Sequence, residues 1–262
     1  MKLIPERLRR RTAGDDLEEG SMSLVEHLTE LRRRLVVSLL ALLAGAFVGW
    51  FLYDPVIDLL TEPYCDYLET VPPDLRATQE CALSFFGALE PALIKLKLVL
   101  FLGLFVALPV VLYQLWAFVV PGLTRRERRL AIPFVLSAVF LFALGAAFAY
   151  WTLPKALSFL LGFAGDQFAP LLAGDKFLSF VMVVALSFGL AFELPVALVF
   201  LVVAGVLSTE QLRRWRRSAI LFIAIFAAVI TPSSDPFTML AMTIPMVLFY
   251  EAAILVGRLM KR

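Results

Sequence analysis

The sequence predicts an all-α membrane protein with six transmembrane helices. Apolar residues of the types A, V, I, L, M, F, W, Y and C make up 61% of the 262 residues, charged residues make up 18%, and the mean hydropathy is +0.86. Soluble domains contain about 45–50% apolar and about 25% charged residues. The composition therefore excludes a soluble domain, intrinsic disorder, a collagen-like fibre and a small disulfide-rich domain. Long uncharged runs without period-2 alternation indicate helices, because a bilayer tolerates no unpaired backbone groups and a β-barrel would need that alternation.

Six uncharged or nearly uncharged runs are candidates for spans, and a helix needs about 20 residues to cross the hydrocarbon. In chain order they are Leu35–Tyr53, Leu98–Val120, Leu130–Pro154, Phe177–Leu207, Ser218–Thr231 and Pro236–Gly257. The fifth run and the uncharged part of the sixth have only 14 and 15 residues. This short pair predicts a locally thinned bilayer or, alternatively, a re-entrant hairpin. We favour two full spans, because arginine clusters flank the pair on one side.

Lysine and arginine are concentrated on one side of the predicted spans. Eight precede the first span, four lie between the second and third, four lie between the fourth and fifth, and three follow the sixth. The opposite loops hold Arg76, Lys155 and Lys176, with Lys95 and Lys97 at the border. Because cytoplasmic loops carry the excess of positive charge, both termini are predicted to be cytoplasmic.

One domain, residues 23–257, is predicted to contain all six spans. Residues 1–22 are expected to form a flexible cytoplasmic tail, and residues 258–262 a second, shorter one. The amino-terminal segment is not typical of a secretory signal, because its first apolar run is too long and no small-residue cleavage pattern follows. Ser23 and Glu26 form a capping-box pattern that predicts a helix start just before the first span.

The loop covering residues 54–90 is long and acidic, and it is predicted to contain short interfacial helices at Val56–Leu60 and Leu83–Leu89. It also contains both cysteines, Cys65 and Cys81. In an oxidising compartment these two would form a disulfide. Two free thiols are the alternative, and the sequence leaves both open. Two cysteines and one histidine without metal-ligand spacing predict no metal site and no cofactor.

Enzyme motifs are missing from the sequence. It contains no Gly-rich phosphate loop, no HExxH and no GxSxG, and no two intramembrane aspartates could form a protease dyad. We therefore predict that the chain is not an enzyme, and we expect no nucleic-acid partner. Transport, channel and binding functions remain, and the acidic residues in and near the spans must discriminate between them.

Glu193 lies near the middle of the fourth predicted span. An ionisable group at this depth is costly and normally faces a bundle interior or a water-filled cavity. Pro195 cannot donate to the carbonyl oxygen of Ala191, so a local opening of the helix is expected there. The alternative is a protonated structural carboxyl bonded to a neighbouring group. Glu251 is nearer a membrane end, where a structural or interfacial role is expected.

Glu30 and Glu127 are acidic residues on the arginine-rich side. Glu30 is placed to pair with Arg34 one helical turn later, and Glu127 completes a capping-box pattern that starts at Thr124. These structural roles leave a functional alternative open. Carboxylates bind a guanidinium group through two hydrogen bonds, so both residues are also candidates for capturing an external arginine.

Several separated motifs resemble the TatC family, whose members are the multi-spanning subunits of the twin-arginine protein translocase. The motifs are His27–Leu35 (HLTELRRRL), Leu112–Phe118 (LYQLWAF) with Pro121–Leu123, Glu127–Arg129, Phe188–Pro195 (FGLAFELP), and Thr231–Pro232 followed by Asp235. The resemblance covers roughly residues 23–257. It implies a concave bundle of six helices in which the fifth and sixth are short.

The resemblance also implies a signal-peptide site. In the family, the glutamate of the first motif and the glutamate of the first cytoplasmic loop help to bind the twin-arginine signal peptide, and they correspond to Glu30 and Glu127. Arg32 and Phe118 match further positions at this cytoplasmic site. These roles are compatible with the ion-pair and capping roles given above.

A second set of positions lies within or beyond the membrane. The family's mid-membrane glutamate corresponds to Glu193, two residues before Pro195, and is tied to contacts with the single-span TatA and TatB subunits. Pro63 matches an outer-loop proline of the family. The turn Thr-Pro-Ser-Ser-Asp is one residue longer than the Thr-Pro-Pro-Asp form of some members, which leaves the role of Asp235 open.

The implied function is that of a receptor subunit in the bacterial cytoplasmic (inner) membrane. It would bind twin-arginine signal peptides of folded cargo proteins, assemble with TatA and TatB in a multi-copy complex among membrane lipids, and support export driven by the proton-motive force. A small proton-coupled secondary transporter using Glu193 is the alternative. Spans one to three contain no counterpart of the short fifth and sixth spans, which argues against the inverted halves of such a transporter.

Overall fold

The computed structural model describes residues 24–72, 81, 83–119, 131–162, 172–231 and 235–259. Within these ranges the chain forms eight helices. They are α1 (Leu24–Phe51), α2 (Tyr53–Thr70), α3 (Glu90–Val119), α4 (Ala131–Gly162), α5 (Gly174–Ala191), α6 (Leu194–Val203), α7 (Thr209–Ile230) and α8 (Pro236–Leu259). The one extended pairing in the same ranges is an isolated parallel bridge between Ser84 and Ala173.

Five stretches of these helices are long and apolar enough to cross a membrane. They are Val25–Phe51, Glu90–Phe118, Ile132–Gly162, Gly174–Val203 and Pro236–Leu259. Their presence confirms the prediction of an all-α protein with several membrane-spanning helices. The predicted fifth span, Ser218–Thr231, falls mostly in α7, whose first half carries four arginines. The crossing of this fifth span, the resulting count of six spans and the side of the membrane on which the termini lie stay predictions.

Helix α1 extends without a break from Leu24 to Phe51, so the lead-in and the first span are one helix. The predicted cap Ser23 lies outside the described residues. Helix α3 begins at Glu90, eight residues before the predicted start of its span. Glu90 fixes this start, because its carboxylate accepts the backbone N–H groups of Phe86 (2.8 Å) and Gly87 (3.2 Å).

The loop before α3 differs from its prediction. Its first part is a single 18-residue helix, α2, instead of a short one. The predicted helix at Leu83–Leu89 is wrong, because this segment pairs with the chain that precedes α5. The Ser84 N–H donates to Leu172 O at 3.2 Å, and the Gly174 N–H donates to Ser84 O at 2.8 Å. Backbone groups used in this way cannot also form the bonds of a helix.

Helix α2 is held against α4 and α5 by an apolar face. Tyr64 is buried and lies 5.7 Å from Phe177 of α5, measured between ring centroids. Burial raises the pKa of the Tyr64 phenol above its usual value. Pro63 is also buried within α2.

A disulfide joins Cys65 of α2 to Cys81, with the two Cα atoms 5.4 Å apart. Of the two alternatives left open by the sequence, the structure contains the bridge. Cys81 lies three residues before Ser84, which is bonded to the segment preceding α5. The bridge therefore ties α2 to the start of α3 and, through Ser84, to the start of α5.

Replacing both Cys65 and Cys81 by serine is expected to lower the free energy of unfolding by about 3 kcal/mol, because a crosslink closing a loop of about 15 residues removes that much chain entropy from the unfolded state. Thermal unfolding of the purified protein in detergent measures this. The parent protein treated with reductant should unfold at the temperature of the double variant. Equal midpoints for oxidised parent, reduced parent and variant would contradict the expectation.

The helices pack in a row. Helix α1 packs chiefly on α3, α4 packs on α3 and α5, and α8 packs on α6 and α7. One buried cluster joins α2, α3, α4 and α5, and a second joins α4, α5 and α6 to α7 and α8. Helices α1 and α7 end the row, and both present large exposed apolar side chains, such as Leu39 and Phe222, of the kind that face lipid.

The crossing of α1 and α3 depends on small residues. A Cβ atom at Gly49 would lie 2.8 Å from Val99 O, and one at Gly103 would lie 2.7 Å from Ala46 N. Both distances are shorter than real contacts of a Cβ atom. The two backbones therefore approach as closely as they do in other membrane helix pairs built on glycine. This close approach sets the position of α3 beside α1 along the whole pair.

Candidate functional site

The arginine-rich ends of the helices meet at one end of the bundle, which we call the arginine-rich end. The start of α1 lies there beside the end of α3, and Trp116 of α3 packs on Phe134 of α4 (5.0 Å) and on Phe200 of α6 (4.4 Å). Tyr250 of α8 donates to the backbone carbonyl of Leu212 in α7 at 2.7 Å. These contacts fix α1, α3, α4, α6, α7 and α8 relative to one another around the predicted signal-peptide residues.

Glu30 lies in the first part of α1, and its carboxylate is bound from one side by Arg34. The Arg34 Nε–H donates to Glu30 Oε1 at 3.1 Å, and the Nη2 group donates to the same oxygen. This confirms the predicted ion pair one turn along the helix. Arg34 also donates from Nη1 to Oε1 of Gln114 in α3 at 3.3 Å. The guanidinium thus connects Glu30 to the neighbouring helix.

The second carboxylate oxygen of Glu30, Oε2, is buried and has no hydrogen-bond partner within the described part of the chain. A buried carboxylate oxygen without a partner is costly. Unsatisfied groups of this kind are rare in folded proteins, and each one needs an explanation, such as a water molecule or an ion that supplies the missing donor. Oε2 therefore has the capacity to accept an N–H group that the described residues do not provide.

Other residues predicted for this site lie close by. The ring of Phe118 stacks on His27, with the centroids 4.5 Å apart. The Arg32 side chain is exposed on α1. An open depression of about 550 Å³ has Val25, Glu26, Thr29, Glu30 and Arg33 in its described lining. The structure thus brings Glu30, Phe118 and Arg32 to one end, whereas Glu127 lies outside the described residues.

Glu193 and Pro195 lie where the predicted fourth span is interrupted. Helix α5 ends at Ala191, α6 begins at Leu194, and Phe192 and Glu193 form a short turn between them. The Ala197 N–H donates to the Glu193 carbonyl at 3.0 Å, while the proline nitrogen cannot serve the carbonyl of Ala191. The predicted opening of the helix is confirmed. Oε1 of Glu193 is buried, and nothing in the described ranges donates to it.

Two further acidic residues have structural roles. Glu251 of α8 pairs with Arg216 of α7 through two contacts, Nε to Oε1 at 2.6 Å and Nη2 to Oε2 at 2.7 Å. Asp235 is buried just before α8, and its carboxylate accepts the backbone N–H of Thr238 at 2.7 Å and the Thr238 hydroxyl. Asp235 thus caps α8, a role that the sequence had left open.

Sequence reasoning missed Gln114, the partner of Arg34 on α3. It lies in the LYQLWAF motif, but no local pattern indicates which side chain of another helix it will meet. Sequence reasoning also missed the capping box in which Ser208 and Gln211 start α7; the pattern Ser-x-x-Gln was available to find it. Within the described ranges no group of three or more His, Cys, Asp or Glu side chains is arranged to hold a metal ion.

These features define a multi-pass α-helical membrane protein with carboxylates at one arginine-rich end and at a break in one span. The family profile described as "Sec-independent protein translocase protein (TatC)" matches residues 26–245. The chain therefore belongs to the TatC family, and it is a subunit of the Sec-independent protein translocase.

Individual relatives agree with this assignment. The chain is 47% identical over 249 residues to the Sec-independent protein translocase protein TatC of Frankia casuarinae, which covers 94% of this chain and 68% of that protein. It is 39% identical over 244 residues to TatC of Aquifex aeolicus, covering 92% and 97% of the two chains. These relatives are named for protein translocation, a transport role, and do not favour the alternative of a small solute transporter.

Two solved structures share the fold. One is a crystal structure of a twin-arginine translocase receptor, TatC, with a TM-score of 0.72 and 38% identity, covering 90% of this chain and 100% of that chain. The other is the receptor in the detergent DDM, with a TM-score of 0.73 and 39% identity, covering 88% and 99%. The prediction of a TatC-like helical bundle is thereby confirmed.

Proposed function

We propose that the chain is the receptor subunit of the twin-arginine translocase. It binds the twin-arginine signal peptides of folded cargo proteins at the arginine-rich end, which faces the cytoplasm of a bacterial inner membrane. The observation that carries this proposal is the buried Oε2 atom of Glu30, which has no donor among the described residues. A guanidinium group supplies N–H donors of the kind that this atom lacks among the described residues.

The surroundings of Glu30 suit a peptide that carries arginines next to an apolar stretch. Phe118 and His27 offer a stacked pair of rings beside it, and the flanking face of α1 exposes Val25, Leu28 and Leu31. Glu127 adds a second carboxylate in this proposal, and Arg32 adds a donor for the peptide backbone. The chain itself does no chemistry at this site; it binds, orients and releases the peptide.

A second contact site is proposed at Glu193 and Pro195, for the single-span TatA and TatB subunits. A partner helix that reaches the break between α5 and α6 would supply the donor that Oε1 of Glu193 lacks among the described residues.

In this proposal both termini are cytoplasmic, α7 crosses as the short fifth of six spans, and several copies assemble in one complex. The proton-motive force supplies the energy for export in this proposal, as the resemblance to the TatC family implies.

The proposal is tested with inverted membrane vesicles that contain the full chain together with TatA and TatB. A radiolabelled precursor carries a photoreactive residue next to its two arginines, and adducts with the chain are counted. We expect strong adducts from an Arg-Arg precursor and few from a Lys-Lys precursor. Glu30→Gln should reduce the Arg-Arg adduct by about 10-fold to 100-fold, the effect of losing one hydrogen bond to a charged group.

Glu210→Gln serves as the matched control, because Glu210 is an exposed carboxylate near the start of α7, at the same end of the bundle. It should leave both adducts at the level of the parent protein. Equal adducts from Arg-Arg and Lys-Lys precursors, or a Glu30→Gln protein that behaves like Glu210→Gln, would overturn the receptor proposal.

A further inference from the structure

We propose that Arg34 and Gln114 are positioning residues that make Glu30 selective for a guanidinium over an ammonium group. This inference rests on the proposed function and deepens it. The receptor role alone requires only a carboxylate that attracts a positive charge. The structure contains more than that, because the carboxylate is already held by an internal guanidinium, which is itself tied to a second helix.

The first step concerns the acceptor sites of the carboxylate. An ionised carboxylate has about four lone-pair positions, two on each oxygen. Arg34 places both of its N–H groups on Oε1 and leaves Oε2 without a bond among the described residues. Two acceptor positions therefore remain, and both lie on one atom. A second planar guanidinium fills them as Arg34 fills the first two, whereas an ammonium group cannot present a parallel pair of donors.

The second step concerns charge. The Glu30 and Arg34 side chains are only 23% and 21% exposed, so their charges neutralise each other at close range. The exposed Arg32 and Arg33 make the surroundings positive rather than negative. A cation that binds by charge alone gains little at such a site, and lysine is a point charge of this kind. Binding then depends on directional hydrogen bonds, which favour arginine.

The third step concerns the fixed orientation of Arg34. An arginine anchored only to Glu30 could change its orientation. Its two donors would then no longer be confined to one carboxylate oxygen. The bond from Nη1 to Gln114 on α3 prevents this, because it holds the guanidinium from its other edge at 3.3 Å. The rings of Phe118 and His27 tie the same two helices together farther along, with centroids 4.5 Å apart. Gln114 thus determines which carboxylate oxygen is left without a partner among the described residues.

The experiment measures the ratio of Arg-Arg to Lys-Lys precursor adducts in the vesicle assay with TatA and TatB present. Arg34→Lys keeps the charge but loses the planar fork and the bond to Gln114. Gln114→Met keeps the size of the side chain but removes the acceptor. We expect both variants to lower the ratio by about 10-fold, mainly through a fall of the Arg-Arg adduct, since the loss of one hydrogen bond to a charged group corresponds to at least that factor.

Arg214→Lys is the matched control, because Arg214 is an exposed arginine on α7 at the same end. It should leave the ratio unchanged. A structural role of Arg34 would lower both adducts by the same factor and leave the ratio as it was, and this result overturns the inference while the receptor function stands. A parent protein that does not distinguish the two precursors overturns the receptor function itself. Gln114→Met keeps the test valid if Arg34→Lys fails to fold.

Discussion

A leucine in place of Gly103 is expected to destabilise the folded chain strongly. The Cβ atom of any larger residue would lie 2.7 Å from the backbone nitrogen of Ala46 and 2.8 Å from its Cα atom. Overpacking costs about 1–3 kcal/mol when side chains can move aside. Here the obstacle is the backbone of α1, which moves only if the two helices separate. The cost for leucine is therefore expected at or above the upper end of that range.

Separation of α1 and α3 would have further effects. The pair holds Glu30, Arg34 and Gln114 together, so a displaced α3 also removes the contact between Arg34 and Gln114. The expected result is a low yield of protein in the membrane, a reduced unfolding temperature in detergent and no signal-peptide adduct. Yield is measured on isolated membranes, and unfolding is measured by the loss of helical circular dichroism on heating.

Two alanine substitutions of glycines serve as controls for Gly103→Leu. Gly103→Ala should be destabilised less than Gly103→Leu, because it adds only the Cβ atom. Gly162→Ala at the end of α4 should be neutral or slightly stabilising, because a Cβ atom there meets nothing within 4 Å and alanine favours a helix by about 1 kcal/mol. An unfolding temperature of Gly103→Leu equal to that of the parent protein would contradict the close crossing of α1 and α3.

The close crossing of α1 and α3 also indicates what can be predicted from a sequence. The pattern Gly45-x-x-x-Gly49 is a known signal for close helix contacts in membranes. It predicts that α1 has a close neighbour, but it does not identify the neighbour. Gly103 lies in a separate span, and only the folded chain reveals that it meets Ala46. Span positions follow from local composition, whereas contacts between spans depend on the whole packing arrangement.

The same distinction applies to the candidate site. The ion pair of Glu30 with Arg34 was predictable, because both residues lie on one helix at a spacing of four. The break at Glu193 was predictable from Pro195, because the missing N–H acts locally. The contact of Arg34 with Gln114 was not, because it joins residues 80 positions apart. The error at Leu83–Leu89 has a similar origin, since partners distant in sequence decided that segment's structure.

Replacing Glu193 by leucine is expected to reduce transport strongly without destabilising the chain. Oε1 of Glu193 is buried and has no partner within the described ranges. Removing a buried polar group that makes no bond, and filling its place with an apolar group, is neutral or stabilising. If a partner subunit supplies the donor, its loss should reduce transport by about 10-fold to 100-fold, the effect of one hydrogen bond to a charged group.

Three measurements on the same Glu193→Leu protein separate the proposed contact from a structural role. The unfolding temperature in detergent should equal or exceed that of the parent protein. Signal-peptide adducts should persist, because Glu30 and Phe118 lie on α1 and α3, while Glu193 lies between α5 and α6. Transport of an Arg-Arg precursor into the vesicles should fall. The combination of normal folding, normal binding and lost transport is what a partner contact requires.

Glu251→Gln is the control for Glu193→Leu, because the Glu251 carboxylate is already paired with Arg216. Its substitution should lower the free energy of unfolding by no more than about 1 kcal/mol, since both partners are partly exposed, and it should leave transport intact. The structural alternative for Glu193 is a protonated carboxyl bonded to a neighbouring group. It predicts that Glu193→Leu lowers the free energy of unfolding. A Glu193→Leu protein that unfolds well below the parent protein would support that alternative, because it would have lost a bond within its own fold.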